Sequence, residues 1–439
     1  MDLERLPVIL IRLKTLNMGK KPMQLRWGIA TMLFFVSALN YLDRQVLSVL
    51  APTIQQELGL TDIDYSFITS SFLLSYTIMY AISGTIIDKL GTRKSFLWFV
   101  GGWSIANVLH GFAKTVMQFS VFRFLLGATE SANFPAGVKA ASEWFPVKER
   151  ALAIGLLNAG SSAGAALAVP MVSFIAIVFN WQAAFVITGL LGVIWMFFWW
   201  RHYYLPSEHP RISAEELALI ESDEEPVETG PQNTGTTVWQ LLKTRQAWGC
   251  FMARFLIDPC TYFLIFWIPK YLQEEQGFSL GQLGFFAWIP YVALAFGTVA
   301  GGIIPRSLIN KGWTINRSRK TTMFAASLLV PAFCFLLFST THSAIAVIAI
   351  AGVMFGHGLW GNITLPAEVF PKRVHATLTG LGGTLGGTIA IGVQFLIGWT
   401  VQNVSYTPIF IGVGIVYLLC FVAVHFLIGK LGVIIPLKK

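Results

Sequence analysis

Twelve mostly apolar stretches recur along the chain, at 27–51, 65–88, 95–113, 117–141, 150–179, 181–204, 247–272, 281–305, 321–340, 343–367, 374–401 and 405–428. A helix that crosses a bilayer needs about 20 such residues, and inside hydrocarbon the backbone must satisfy its own hydrogen bonds. The pattern therefore predicts an all-α integral membrane protein of twelve transmembrane helices. Charge agrees with it. Only 12% of the 439 residues are Asp, Glu, Lys or Arg, against roughly 25% in an average soluble domain. The first and fourth stretches carry charges inside them, so hydropathy alone is expected to undercount.

Lys and Arg set the orientation. One series of loops holds Lys20, Lys21 and Arg26; Lys89, Arg93 and Lys94; Lys148 and Arg150; Arg201 and Arg211; Arg306, Lys311, Arg317, Arg319 and Lys320; Lys372 and Arg373; and Lys430, Lys438 and Lys439. The opposite series holds only Lys114 and Lys270, beside Glu57, Asp62, Asp64, Glu274 and Glu275. Both termini are thus expected in the cytoplasm. The net charge of +9 would suggest nucleic acid in a soluble protein. Here it follows the loops, and the expected surroundings are a lipid bilayer with no nucleic-acid partner. Met1–Met18 is too short and interrupted to span and lacks a small-residue cleavage site, so no removable signal peptide is expected.

The expected organisation is a tail at 1–26, a six-helix bundle at 27–204, a cytoplasmic linker at 205–246, a second bundle at 247–429 and a tail at 430–439. Within the polar linker, Ser213–Ile220 predicts a short amphipathic helix with Ser213 as its N-cap, and Pro226–Thr237 reads as tether. The halves repeat each other. Glu143, Phe145, Pro146, Arg150, Ala151 and Gly155 match Glu368, Phe370, Pro371, His375, Ala376 and Gly380 at one constant offset. Such repeats mark secondary transporters, whose substrate sites lie where the repeats meet near mid-membrane.

Between the second and third stretches stands Gly84-Thr-Ile-Ile-Asp88-Lys89-Leu-Gly91-Thr-Arg93-Lys94. An aspartate there can pair with basic groups across the cytoplasmic face while the glycines allow a tight turn, so the cluster can latch two bundles in one state and release them in another. Gly84, Asp88, Lys89, Gly91, Arg93 and Lys94 are the gating candidates. At these residues the chain resembles the major facilitator superfamily, and Arg123-x3-Gly127-x2-Glu130 matches a second feature of it. Asn40-Tyr-Leu-Asp43-Arg44-Gln45, Glu130-Ser-Ala-Asn133-Phe-Pro135-Ala-Gly137 and Ser142-Glu-Trp-Phe-Pro146-x-Lys148-Glu-Arg150-Ala151 resemble the sugar-acid branch of its anion:cation symporters, hexuronate carriers above all. The resemblance implies two six-helix bundles that alternate in access, a monomer that suffices for transport, and uptake of a sugar acid together with protons. In a bacterium that places the chain in the cytoplasmic (inner) membrane.

The residues support that direction on their own terms. Asp43, Arg44, Arg123 and Glu130 lie inside apolar helices, where each charge near the bilayer centre costs about 2.5–3.5 kcal/mol even on a lenient scale. They require partners, an aqueous cavity, or both. Arg123 and Glu130 are two helical turns apart and share a face; Asp43 and Arg44 point about 100° apart and cannot share a role. Arg44 suits the substrate carboxylate, since a guanidinium is always charged and binds carboxylates in bidentate fashion. Asp43 and Glu130 are the proton-carrying candidates, with Arg123 switching their proton affinity as it moves; a static ion-pair network is the alternative. Tyr41, Tyr76, Asn158 and Ser161 are candidates for substrate hydroxyls in the first half, with Tyr80 on the face of Tyr76. His357, Trp360, Asn362, Thr364 and Gln394 are those of the second. Arg254 and Asp258 form an i,i+4 pair, read as structural before a substrate clamp.

Other chemistry finds no support. The glycines of Gly380–Gly387 follow no strand and so do not read as a nucleotide loop. No G-x4-G-K-[ST], HExxH or CxxC sequence occurs, and Cys250, Cys260, Cys334 and Cys420 sit in apolar segments as small hydrophobes. No metal, cofactor or enzymatic activity is expected. The sequence leaves open a carrier of galactonate, glucarate or an aromatic acid, and an organic-anion exporter of the same fold.

Overall fold

The computed structural model describes residues 24–221, 238–340, 342–360, 365–371 and 374–432. Twelve helical spans run through it. The N-terminal six are α1 (Leu25–Leu58), α2 (Asp62–Leu90), α3 (Thr92–His110), α4 (Val116–Glu130, continued by Asn133–Trp144), α5 (Val147–Val178) and α6 (Trp181–His202). The C-terminal six are α7 (Arg245–Phe266, continued by Ile268–Glu274), α8 (Leu280–Phe286, continued by Ile289–Asn310), α9 (Ile315–Ser339), α10 (Ser343–Trp360, then Leu365–Val369), α11 (His375–Asn403) and α12 (Thr407–Ile428). Ten spans are long and apolar enough to cross a membrane by length and composition alone. The exceptions are α4, which is broken after Glu130, and α3, which buries Ser95, Ser104, Asn107 and His110. The first span passes despite its charges. The chain is a multi-pass membrane protein.

Side chains explain where the spans start. Thr61 closes a capping box with Asp64 ahead of α2, Ser279 does the same with Gln282 ahead of α8, and Thr115, Asn180 and Thr314 cap α4, α6 and α9. Each supplies an oxygen to a first-turn N–H that the helix itself cannot satisfy. Small residues set how closely spans approach. A methyl at Gly160 or Gly164 of α5 would run into the backbone of Phe34 or Ala38 on α1, so these glycines draw α5 tightly against the span that carries Asp43 and Arg44. The glycine pair of α5 is thus a packing device.

The repeat is visible in the anchoring of the two fourth-position spans. Glu143 accepts a hydrogen bond from Thr92 at the start of α3 (2.8 Å) and one from Tyr203. Its counterpart Glu368 pairs with Arg319 near the start of α9 at 2.5 Å. The linker helix runs from Ala214 to Glu221, with the Ser213 hydroxyl accepting from Glu216 N at 3.1 Å. Glu216 in turn caps the start of α1, accepting from Leu25 N and Arg26 N, while Arg26 also pairs with Glu149. The tether expected at Pro226–Thr237 lies outside the described residues.

The bundles meet through α2 against α11, α5 against α8 and α1 against α7. We call the end where α1 begins and α12 finishes the near end. Among the described residues, every hydrogen bond and ion pair between the bundles lies in the far half of the molecule. Tyr65 donates to Phe266 O at 2.6 Å, Gln273 donates to Val49 O at 2.9 Å, and the Gln402 side chain accepts from Ile63 N at 3.1 Å.

Candidate functional site

Because α1 puts consecutive side chains on different faces, Asp43 and Arg44 part company. Arg44 points to α4, where its Nε and Nη2 donate to a single oxygen of Glu130, Oε2, at 3.1 and 2.9 Å. Its Nη2 also reaches Asn40 Oδ1 at 3.4 Å, and Asn40 donates to the Glu130 carbonyl. Tyr41, Phe72 and Tyr76 surround the guanidinium with ring centroids 4.7, 5.0 and 5.0 Å from its carbon. The aromatic faces stabilise the cation where water is excluded; Arg44 is 3% exposed and Glu130 1%.

Asp43 faces the bundle interior instead. Its Oδ1 accepts from Asn107 of α3 at 2.8 Å, and the same Asn107 amide lies 2.7 Å from the Thr188 hydroxyl of α6. Its Oδ2 has no hydrogen-bond partner, nor has Glu130 Oε1. Arg123 is buried between them, yet its one hydrogen bond is to the Arg44 carbonyl at 3.4 Å, and its Nε and Nη2 are unpartnered. Four charges are thus gathered across α1 and α4 with one closed ion pair and donors and acceptors to spare. A network that can be repartnered has this character, since fully satisfied buried charges hold one arrangement only. The sequence places these four in the membrane. What it does not reveal is that Glu130 closes on Arg44 and leaves Arg123 free.

The remaining candidates divide. Tyr76 stacks on Tyr80 at 5.9 Å, which carries the aromatic wall from Arg44 toward the near end. Ser161 meets Ser37 at 2.7 Å, and Asn133 donates to Ser37 at 3.2 Å, so this chain ties α5, α1 and α4 together. Asn158 is exposed and bonds its own helix at Ile154 O. Gln394, fully buried in α11, accepts from Trp267 at 2.7 Å and from Thr69 of α2 at 3.5 Å; it is a crossing point between the bundles. His357 bonds Thr261 (3.2 Å) and Tyr417, and Trp360 packs edge-on against Tyr417. These partners all belong to the C-terminal bundle, and neither residue is brought to Arg44. Asn362 and Thr364 lie outside the described residues. Across the interface, Tyr262 of α7 stacks on Phe266 at 6.0 Å, and Phe266 in turn meets edge-on the Phe72 ring that packs against Arg44. Arg254 pairs with Asp258 at 2.9 Å against the glycine face of α11.

At the near end, Asp88 pairs with Lys139 at 2.7 Å, and Lys139 also donates to Ile87 O. Gly91 takes φ = 75°, a turn disfavoured for residues with a Cβ, and Arg93 donates to Trp200 O at 2.6 Å while lying over Tyr204. Lys89 and Lys94 are exposed, and Gly84 is half-buried with open space around it. All these contacts stay inside the N-terminal bundle.

The far end holds a cluster that sequence reading assigned to a loop. Lys270 of α7 is fully buried, pairs with Asp62 of α2 at 2.7 Å, and also pairs with Glu274, which accepts from Tyr406 at 3.1 Å. A signal existed: Lys270 falls within the apolar stretch 247–272, where a lone lysine requires a carboxylate. Removing it leaves Asp62 and Glu274 without their cation between two bundles. Lys270→Ala is expected to shift the equilibrium toward far-end opening by about tenfold or more. Labelling of a Gln402→Cys reporter by an impermeant maleimide, in a background with Cys250, Cys260, Cys334 and Cys420 replaced, reads that shift as faster modification.

Comparison with known proteins settles the family. The sequence profile of the Major Facilitator Superfamily matches residues 33–395. The chain belongs to the major facilitator superfamily. It is similar to the hexuronate transporter of Escherichia coli K12, 32% identical over 88% of this chain and 90% of that one. It is also similar to the galacturonate transporter of Dickeya chrysanthemi, 34% identical over 75% and 96%, and to a probable galactarate/D-glucarate transporter of Escherichia coli K12, 28% identical over 95% and 98%. In fold it is similar to the Escherichia coli xylose transporter in its inward-open form, with a TM-score of 0.73 at 13% identity over 92% of this chain and 97% of that one. A bacterial homolog of the lysosomal transporter Spinster follows at 0.69 and 18%, over 92% and 95%. Membership of the major facilitator superfamily makes this chain a transporter rather than an enzyme.

Proposed function

We propose that this protein takes up a sugar acid, a hexuronate such as glucuronate or galacturonate, by proton symport with alternating access to the two sides of the cytoplasmic membrane. The observation that carries the reading is the arginine of α1 at mid-span, held by one oxygen of one carboxylate inside an aromatic collar. A substrate carboxylate entering there competes with Glu130 for the same guanidinium. Glu130 can yield only if its own charge is neutralised, because a lone carboxylate at that depth is too costly. Proton uptake by Glu130 and anion binding by Arg44 then become one event, which is what symport requires. Asp43 is the second proton site, reached from the Asn107–Thr188 side, and Arg123 is the counter-ion that swings between the two acids.

Tyr41 and Tyr76 offer hydroxyls to the sugar; Tyr262, absent from the sequence-based candidates, joins them from the other bundle. The relatives named as hexuronate and galacturonate transporters support a sugar acid as substrate. In this reading both termini and the linker lie on the cytoplasmic side, which makes the present arrangement, whose interbundle bonds among the described residues all lie in the far half, the inward-facing one. Closure of the near end brings Asp88, Lys89, Arg93 and Lys94, with Gly84 of α2 and the turn at Gly91, against the C-terminal bundle.

Counterflow of radiolabelled glucuronate in proteoliposomes tests the reading, with sugar acids, neutral sugars and aromatic acids as competitors. Inhibition by hexuronates and not by glucose is expected. Absence of counterflow, or competition by aromatic acids alone, removes the sugar-acid assignment while leaving the fold intact.

A further inference from the structure

At the near end, where α1 begins and α6 runs into the linker, a cavity of about 260 Å³ is lined by Arg201, His202, His209 and Arg211 and by Leu25, Ile29 and Met32. Its setting is a membrane boundary. Trp200, Phe197, Phe198 and Leu205 around it are exposed large apolar side chains, the composition of a span where it leaves hydrocarbon for headgroups.

Two features separate this cavity from ordinary basic loops. First, its lining is of two kinds: apolar side chains of α1, and basic groups of α6 and the linker. Second, its arginines are unspent. Among the described residues neither guanidinium, that of Arg201 or of Arg211, has an ion pair or hydrogen bond; Arg306 of the other bundle is free in the same way, but it lines no cavity with an apolar side, whereas Arg26, Arg44, Arg254 and Arg319 each close on a carboxylate. No acidic residue lines the cavity. The nearest acids point elsewhere: Glu216 is held by Arg26 and the start of α1, Glu149 pairs with Arg26, and Glu208 is an exposed residue of the short turn before His209.

His209 is fixed there by Tyr204 and Trp144, which approach its ring edge-on, and its Nδ1 accepts the Arg211 N–H at 3.2 Å. Partial burial, helped by the neighbouring Arg211 charge, lowers its proton affinity below the usual histidine value. It therefore acts at neutral pH as a positioning group for the Arg211 segment, and the cationic rim is Arg201 and Arg211, with the exposed His202 beside them.

We propose that this cavity is a binding site for an anionic phospholipid, its phosphate held between Arg201 and Arg211 and the start of an acyl chain lying along Leu25, Ile29 and Met32. Basic pockets between spans are suited to acidic headgroups, and guanidinium matches phosphate by bidentate geometry. A bound lipid bridges α1, α6 and the linker, fastening the linker to the bundle that carries Asp43 and Arg44.

The test is native mass spectrometry of the purified full-length protein titrated with phosphatidylglycerol or with phosphatidylcholine of the same acyl chains. Retention of phosphatidylglycerol over phosphatidylcholine is expected, and Arg201→Gln with Arg211→Gln should weaken it by about tenfold or more. Arg201→Lys with Arg211→Lys keeps the charge and should restore part of that loss. Arg317→Gln is the control for unspecific attraction, since Arg317 is a near-end arginine of the other bundle lying over Trp313. An equal loss in that control, or equal retention of the two lipids, overturns the proposal. Displacement of phosphatidylglycerol by inorganic phosphate at matched concentration makes the cavity a site for free phosphate and overturns the lipid assignment.

Discussion

Arg44→Ala is expected to abolish sugar-acid binding, with an affinity loss of about a hundredfold or more, because removing one partner of a desolvated charge pair costs about 3–5 kcal/mol. Arg44 is 3% exposed and bonded to Glu130 from two nitrogens. Truncation also leaves the Glu130 carboxylate alone, and part of any loss belongs to that change. Arg44→Lys separates the effects. It keeps the positive charge beside Glu130 but lacks the planar fork, so binding should stay severely weakened while the purified protein remains folded and monodisperse. Equilibrium binding of radiolabelled glucuronate reads both variants. Undiminished affinity in Arg44→Ala would move the anion site elsewhere, with Arg254 the next arginine to examine.

The second large effect concerns the proton. Glu130→Gln removes the acid that competes for Arg44 while preserving its shape and its ability to accept a hydrogen bond. Counterflow, which needs only binding and reorientation, should persist in this variant. Accumulation against a gradient should fall to the equilibrium level, because the step that linked anion binding to proton uptake is gone. Both quantities come from one preparation of proteoliposomes, with and without an imposed pH gradient. Concentrative uptake surviving the substitution would assign coupling to Asp43 alone. Asp43→Asn offers the comparison: its amide oxygen can still accept from Asn107, as Asp43 Oδ1 does at 2.8 Å, so it is expected to remove the proton traffic of that site while keeping the contact between α1 and α3.

The spans were legible because the bilayer imposes a length and an apolar composition that a single sequence displays. The four intramembrane charges were legible for the same reason, each standing out against hydrocarbon. Their pairing was not. Periodicity says that Arg123 and Glu130 share a face of α4, but which arginine closes on Glu130 depends on the distance between α1 and α4. That distance is set in part by Gly160 and Gly164, which draw α5 against α1. The C-terminal wall fared less well for a related reason. His357 and Trp360 are polar and mid-span, which marks them equally for a substrate or for a buried bond, and the tertiary arrangement gives them to Thr261 and Tyr417. Tyr262 was passed over because an aromatic residue in an apolar run carries no mark of its own. Lys270 was misplaced by a few residues, enough to turn an interbundle cation into a loop residue.

The uneven distribution of bonds between the two ends bears on how such a carrier can be blocked. Among the described residues, Asp88, Arg93, Glu143, Glu216 and Glu368 all find partners within their own bundle or its attached linker, and no hydrogen bond or ion pair joins the two bundles at the near end. The far end is held by Lys270, Tyr65 and Gln273. A bulky competitor, too large to be carried, would meet an accessible vestibule from one compartment and a bolted door from the other. Its potency should therefore depend on the face to which it is applied, strong in inverted vesicles and weak on intact cells, and the ratio of the two would report which compartment the unloaded carrier prefers to face.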